Sequence, residues 1–357
     1  MFEINNMKGF DMTSYIGYIG TYTKKESKGI YQFTLDTEKK MITDVQLAAK
    51  LENPTYIAVS KDKRNLFAVT KNGEQGGITS FSVGTETGTL TKLNSILLDG
   101  APPCYVSVNN INSKVLSANY HTKKLVSYKL NQDGSFNNEI SIVNHEGSGP
   151  HERQEKSHLH FADFTPDGKY IIVVDLGSDR IITYTNTDDE LNEVNSFSAK
   201  PGSGPRHITF HPNGKFAYAV TELSSEVIML YYDAEDGSFK DIQYISTVPE
   251  EFREGNDASA VVISSDGKYL YVGNRRHSSI AIYKIDENNG ELTFLEWTPT
   301  MGNWPRDFVL DPTEEFLVAT NEKTDNMTLF SRNKETGRLT LLQLNIKVPE
   351  PVCVKFL

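Results

Sequence analysis

The sequence lacks the features of several functional classes. No apolar run approaches the roughly 18 residues that a bilayer-spanning helix needs, which excludes a helical membrane protein. The two cysteines, Cys104 and Cys353, are far apart in the chain, so neither a disulfide framework nor a structural zinc site is expected. Basic residues are the minority, with 36 Lys+Arg against 47 Asp+Glu and a formal net charge of −11. This balance argues against nucleic acid and anionic membranes as partners.

Familiar catalytic motifs are also missing. The chain has no Gly-x-Ser-x-Gly elbow, no Gly-rich phosphate loop followed by Lys and Ser/Thr, and no His-Glu-x-x-His pair. These absences argue against serine hydrolase, nucleotide-binding and zinc-protease functions. The opening segment MFEINNMKGFDM has neither the basic start nor the apolar stretch of a secretory signal. We therefore expect a tail at residues 1–13, a single domain at residues 14–357, and a cytoplasmic protein.

A turn phrase recurs along the chain. It reads TPDGKY at 165–170, HPNGKF at 211–216 and SSDGKY at 264–269, and weaker versions stand at 60–65, 109–114 and 311–316. An apolar residue precedes each phrase by three positions, at Ile57, Val106, Ala162, Ile208, Val261 and Phe308. The spacing of these residues is close to 50, which indicates a repeat architecture.

Each repeat contains a second turn signal about two dozen residues later. These signals are Glu86-Thr87-Gly88, Asp133-Gly134, Asp188-Asp189, Asp236-Gly237, Asn289-Gly290 and Thr336-Gly337. Two turns leave four short strands in each unit, which is typical of a β-propeller blade. The segment at 15–22 matches a second strand that has no first strand before it, and the segment at 351–357 matches a first strand. The sequence therefore predicts an all-β, seven-bladed β-propeller with four-stranded antiparallel blades, one of them closed by the two termini.

Strand order indicates which rim of the ring could perform chemistry. Antiparallel connection brings the start of each first strand and the end of each second strand to the same rim. His, Arg, Tyr and Glu concentrate at these positions, whereas the opposite turns hold ordinary Asp, Asn, Gly and Lys. The polar insertion at 147–160 reads either as a wall of the channel or as a solvated charged loop. Each His or Arg at this rim could instead brace a neighbouring blade through hydrogen bonds.

Four phrases resemble the lactonase propellers, a family that includes propeller-type 6-phosphogluconolactonases and carboxymuconate cyclases. They are GTYT at 20–23, RQEKSHLHF at 153–161, GPRHITFHPNGK at 204–215 and LYVGN at 270–274. The resemblance runs from about residue 15 to residue 357, while WD40 propellers fit less well because no Gly-His and Trp-Asp pairing recurs. It implies an anionic lactone bound at the channel mouth and a catalytic set of His158, Arg206, Glu222 and Arg275.

The chemistry of lactone opening suggests roles for this set. It requires a base for water, donors for the oxyanion and an acid for the leaving alkoxide. We expect His158 or His160 to activate water and Arg206 to stabilise the oxyanion or carboxylate. Arg275 would hold a phosphate, and Glu222 would orient Arg206 or donate a proton.

The resulting prediction is hydrolysis of 6-phospho-D-glucono-1,5-lactone to 6-phosphogluconate in the pentose phosphate pathway. Neither a metal nor a cofactor is predicted; the partner is a small anionic sugar lactone, and we expect a monomer or weak dimer. The alternatives are a lactonase or cycloisomerase for another acidic lactone, and a non-catalytic binding propeller. Substrate contacts are expected from His160, Arg153, Arg276, Tyr56, His121 and Asn274.

Overall fold

A computed structural model describes residues 13–187, 190–252 and 254–357. These residues form seven four-stranded antiparallel sheets, and the predicted seven-bladed all-β fold is confirmed. Within the described ranges the one helical segment is a 3₁₀ turn at Glu322–Thr324. No helix there has the length and apolar composition needed to cross a bilayer. The predicted tail lies outside the described residues except for Thr13.

The strands are short because turn residues interrupt the β-branched and aromatic runs. In chain order they are β1 (Ser14–Thr21), β2 (Gly29–Asp36), β3 (Met41–Lys50), β4 (Ile57–Val59), β5 (Asn65–Asn72), β6 (Gln75–Val83), β7 (Leu90–Asp99), β8 (Tyr105–Val108), β9 (Lys114–Ala118), β10 (Lys124–Leu130), β11 (Phe136–Asn144), β12 (Leu159–Phe164), β13 (Tyr170–Asp175), β14 (Arg180–Thr185), β15 (Glu193–Ser198), β16 (Pro205–Phe210), β17 (Phe216–Thr221), β18 (Glu226–Asp233), β19 (Ser238–Ser246), β20 (Ala258–Ile263), β21 (Tyr269–Asn274), β22 (Ser279–Ile285), β23 (Leu292–Pro299), β24 (Pro305–Leu310), β25 (Phe316–Asn321), β26 (Asn326–Arg332), β27 (Leu339–Lys347) and β28 (Pro351–Phe356).

The two ends of the chain share one blade. Strand β28 pairs antiparallel with β1, and Val354 lies opposite Ile19 in that pairing. The remaining blades each take four consecutive strands, from β4–β7 through to β24–β27. Hydrogen bonds between the terminal strands therefore close the ring, as the repeat pattern predicted.

The core lies between the blades rather than inside a single sheet. In β13 all six residues are buried, whereas the outermost strand of the same blade, β15, alternates between exposed and partly buried positions. The inner strands thus bury both faces against neighbouring blades, which makes the channel wall rigid.

Turn glycines attach outer hairpins to the preceding blade. Gly237, Gly290 and Gly337 all have positive φ, between 70° and 77°. The carbonyl of Gly290 accepts a hydrogen bond from the Tyr218 hydroxyl at 2.8 Å, and the carbonyl of Gly337 accepts one from Tyr271 at 2.8 Å. The second turn signals are therefore joints between blades as well as hairpin turns. The predicted turn at 188–189 lies outside the described residues.

Candidate active site

One end of the central channel opens into a cavity of about 360 Å³. Much of its lining comes from one repeated position, which lies two residues before the aligned apolar residue of each repeat. Six of the seven residues at that position line the cavity, namely Thr55, Cys104, His160, Arg206, Arg306 and Val352. The rim identified from strand order is thus the rim where this cavity opens.

β-bulges turn three of these side chains toward the channel. In the β12–β13 pairing Leu159 and Phe161 oppose consecutive residues of β13, so His160 is the extra residue. The same irregularity makes Arg206 the extra residue of β16 and Arg306 that of β24. A bulge places two successive residues opposite one and re-aims a side chain. Consequently Arg206 and its neighbour His207 both line the cavity.

Glu222 forms the centre of a buried ionic cluster. It follows the last residue of β17, and its side chain is 3% exposed. One carboxylate oxygen pairs with Arg153, and the other lies 3.1 Å from Nε of Arg206 and 2.6 Å from Nη2 of Arg275. One carboxylate therefore orients three guanidinium groups.

Backbone carbonyls hold two of these arginines further. Arg206 Nη1 donates to the Ser259 carbonyl at 2.7 Å. Arg275 donates from Nε to the Asp257 carbonyl at 2.9 Å and from Nη2 to the Ala258 carbonyl at 3.2 Å. Arg275 is thus fixed in the cavity wall, which does not favour the predicted role of a phosphate receptor.

The charges in the cluster set its protonation state. Burial alone would raise the pKa of Glu222, but the charges of Arg275 and Arg206 bring it well below its ordinary value. Burial, together with Arg275, lowers the pKa of Arg206 to about 10. At neutral pH Glu222 is therefore a carboxylate and Arg206 is still a cation. An ionised Glu222 has no proton to give, so the geometry supports the orienting role and not the proton-donating one.

His160 and His207 lie next to this cluster as neutral imidazoles. Both are buried, and Nδ1 of His160 is 3.2 Å from Nε2 of His207. Burial and the positive charge of Arg206 hold the pKa of each imidazole well below 6.5. Both rings are therefore uncharged at neutral pH.

His158 lies beside the cavity rather than on its lining. Its Nδ1 is 2.8 Å from the Tyr120 carbonyl and its Nε2 is 3.1 Å from Glu155. The ring also stacks on Tyr120, with centroids 4.1 Å apart. Both ring nitrogens already have protein partners, so of the two histidines predicted as the base, His160 is the one that the geometry favours.

The other predicted residues divide between the lining and the rim. Arg276 is half exposed and pairs with Asp257 at 2.9 Å, and Asn274 is buried with its amide bonded to the Thr247 carbonyl. Neither of them lines the cavity. Seven of the ten predicted site residues do line it, namely Tyr56, His121, Arg153, His160, Arg206, Glu222 and Arg275.

Among the lining residues that were not predicted as site residues are Arg306 and His207. Arg306 occupies the same repeat position as Arg206, so the repeat alignment contains the signal that would have found it. In the described residues its guanidinium pairs loosely with Glu322, at 3.7 Å, and lies 5.5 Å from the Tyr22 ring centroid. Of the four arginines that line the cavity, Arg306 makes the weakest polar contacts with other protein groups.

Comparisons with known proteins agree with this architecture. A family model described as "Lactonase, 7-bladed beta-propeller" matches residues 16–356. A Bacillus subtilis protein named 6-phosphogluconolactonase is 52% identical over 346 residues, which is 97% of this chain and 99% of the relative.

Solved structures show the same similarity. A Lactobacillus plantarum protein superposes with a TM-score of 0.93 at 41% identity, covering 96% of this chain and 99% of that one. A periplasmic gluconolactonase of Pseudomonas aeruginosa superposes with a TM-score of 0.91 at 28% identity, covering 96% of this chain and 99% of that one. The bladed ring, the arginine-rich cavity and these matches lead to one conclusion: this chain belongs to the lactonase family of seven-bladed β-propellers.

Proposed function

We propose that this chain hydrolyses 6-phospho-D-glucono-1,5-lactone to 6-phosphogluconate in the arginine-lined cavity. The observation that carries the proposal is four arginines and one carboxylate around a cavity of about 360 Å³, in a chain whose net charge is −11. Such a local excess of positive charge suits an anionic ligand of sugar size. The family and the names of the B. subtilis and P. aeruginosa proteins support a lactone hydrolase.

His160 is our candidate for the general base. It is neutral at neutral pH and lines the cavity. It would take one proton from a water molecule whose oxygen then attacks the lactone carbonyl carbon C1. The imidazolium formed would return that proton to the ring oxygen O5 as the C1–O5 bond breaks, so a single residue supplies base and acid in turn.

The guanidinium groups around Glu222 would stabilise the oxyanion that develops on the carbonyl oxygen. Arg206 and Arg275 are fixed by Glu222 and by backbone carbonyls, so their charges need little reorganisation when the oxyanion forms. Glu222 remains ionised throughout, and its role is to hold the arginines in place.

Arg306 is our candidate for the phosphate receptor. Its loose pairing with Glu322 leaves donors for a phosphate, and a guanidinium binds phosphate oxygens in pairs. Arg275, which the sequence suggested for this role, is held rigidly by two carbonyls and a carboxylate, which suits a fixed oxyanion donor better than a phosphate receptor.

Lactonolysis of freshly generated 6-phosphogluconolactone, corrected for spontaneous ring opening, tests the reaction. We expect His160→Gln to lower kcat on the order of 10²-fold or more. Purified wild-type protein that adds nothing to the spontaneous rate would rule out this substrate, and then another acidic lactone or a non-catalytic role would have to be tested.

A pair of arginine variants tests the phosphate assignment. Arg306→Gln should lower kcat/KM for the phosphorylated lactone about 10- to 100-fold, because a hydrogen bond to a charged group is lost. The same variant should leave kcat/KM for unphosphorylated gluconolactone nearly unchanged. Arg338→Gln is the matched control, since Arg338 is 59% exposed and pairs with Glu296, and neither residue lines the cavity. Equal losses on both lactones would refute the role of Arg306 in phosphate binding.

A further inference from the structure

His207 lies between the proposed active site and a second cavity of the channel. It lines the upper cavity and also a second cavity of about 400 Å³ that occupies the other half of the channel. Its ring packs edge-on against Tyr105 and Tyr56, at centroid distances of 5.2 Å and 6.0 Å. The side chain is therefore held in one orientation between aromatic neighbours.

The hydrogen bonds of this ring fix its tautomer. Arg206 Nη1 lies 3.3 Å from Nε2 of His207. Arginine has donors and no acceptor, so Nε2 of His207 must accept that hydrogen bond. A neutral His207 then carries its proton on Nδ1. Burial and Arg206 hold the pKa of His207 well below 6.5, which is consistent with the neutral form.

The same nitrogen determines the tautomer of His160. Nε2 of His207 is 3.2 Å from Nδ1 of His160. Two nitrogens that both carry lone pairs cannot form a hydrogen bond, so the hydrogen between the two rings belongs to Nδ1 of His160. The single lone pair of Nε2 of His207 is then shared between this donor and Arg206 Nη1 in a three-centre hydrogen bond. Because a neutral imidazole has one N–H, Nε2 of His160 carries the lone pair.

We propose that His207 is a positioning residue that holds His160 in its Nδ1–H tautomer and thereby makes Nε2 of His160 the atom that accepts the proton from water. The inference rests on the proposed function for its catalytic consequence. The tautomer itself can be measured without any substrate. His207 would not contact the reacting atoms. Arg206 would influence both histidines, because its hydrogen bond keeps Nε2 of His207 unprotonated as the acceptor for His160.

Two substitutions separate the acceptor from the packing. His207→Phe keeps a ring between Tyr56 and Tyr105 but removes the acceptor. His207→Gln puts an amide oxygen near the position of Nε2, where it can accept from both Arg206 and His160. The Phe variant should therefore release the tautomer of His160, and the Gln variant should retain it.

Nitrogen NMR of full-length protein labelled at histidine gives the direct readout. The chain has eight histidines, and the signals missing from a His160→Gln variant assign His160. In wild type we expect Nδ1 of His160 to be protonated and Nε2 to be unprotonated, in His207→Phe a shift of the proton toward Nε2, and in His207→Gln the wild-type pattern. Wild-type protein with the His160 proton on Nε2, or a Phe variant with an unchanged tautomer, would overturn the inference.

Kinetics test the catalytic consequence separately. His207→Phe should lower kcat for the lactone on the order of 10²-fold at unchanged KM, and His207→Gln should recover most of that loss. Equal kcat values for wild type and the Phe variant would overturn the positioning role. If wild type hydrolyses no lactone, the proposed function fails, whereas the NMR result still decides the tautomer. If the Phe variant does not fold, the wild-type spectrum alone still shows which nitrogen of His160 carries the proton.

Discussion

Replacement of Glu222 by glutamine should destabilise the protein strongly, because it removes the one carboxylate that three buried or half-buried guanidinium groups share. Arg206 and Arg275 are 3% and 6% exposed, so water cannot replace the lost charge. Removal of one partner from a buried ion pair typically costs about 3–5 kcal/mol. With an unfolding entropy of about 2 cal/mol/K per residue over the chain, this loss corresponds to a fall in Tm of about 4–7 °C.

Thermal unfolding followed by circular dichroism measures the effect, and Glu193→Gln is the matched control. Glu193 is 43% exposed and pairs with Arg180 on the outer part of a blade. A surface pair of this kind contributes less than about 1 kcal/mol, so the control should lower Tm by no more than about 1 °C. Added inorganic phosphate should raise the Tm of Glu222→Gln more than that of wild type, because an anion can restore charge among the guanidinium groups. Equal Tm values for the two variants would refute the description of Glu222 as the centre of the cluster.

The destabilisation caused by Glu222→Gln should depend on pH in a defined direction. Although burial opposes ionisation, Arg275 and Arg206 bring the pKa of Glu222 in the folded protein below its ordinary value of 4.5. A group with a lowered folded pKa contributes its full stabilisation above the unfolded pKa and loses it as the pH falls through the folded pKa. The difference in Tm between wild type and Glu222→Gln should therefore stay constant from pH 7 to about pH 5 and narrow only below pH 4.5. A difference that already narrows near pH 6 would show that another group is responsible.

Two further predictions concern the base and the blade joints. Because burial and Arg206 hold the pKa of His160 well below 6.5, kcat/KM should rise with pH to a plateau, with a midpoint below pH 6.5. The measurement should be repeated with the unphosphorylated lactone as a control, since a phosphate ester itself titrates near about pH 6. A midpoint above pH 6.5 would contradict the assignment of His160 as the base. Gly290→Ala should lower the free energy of unfolding by about 1–3 kcal/mol more than Gly214→Ala. Both glycines have positive φ, but a Cβ on Gly290 would come within 2.7 Å of Phe216, whereas nothing lies within 4 Å of a Cβ on Gly214. Equal losses in a urea titration would show that the contact between the blades at Gly290 is not tightly packed.

The fold could be predicted from sequence because each of its determinants is local. Turn phrases mark the hairpins, the alternating strands are short, and the spacing near 50 residues repeats. The pairing of Val354 with Ile19 confirms the closure inferred from two incomplete end segments. Strand ends are harder to predict from the sequence: the fourth strand of the Arg206 blade, Ser238–Ser246, starts immediately after its turn residue. The turn at Gly237 leads directly into pairing with β18, so the strand begins as soon as the hairpin closes.

The composition of the site was harder to predict, because strand alternation assigns neighbouring residues to opposite sides of a sheet. That rule places Arg206 and His207 apart, yet the bulge in β16 brings both to the cavity. A bulge adds one residue to one strand without changing the turn signals on either side. The extra residue is therefore counted within the repeat spacing, and no feature of the sequence marks the bulge. The repeat does preserve position, so the sequence alone places Arg306 at the position equivalent to Arg206. The contact between Arg206, His207 and His160 cannot be found from the repeat in this way. It depends on two bulges, one in β12 and one in β16, which are strands of adjacent blades. Only the two bulges together bring the three side chains within hydrogen-bond distance of one another.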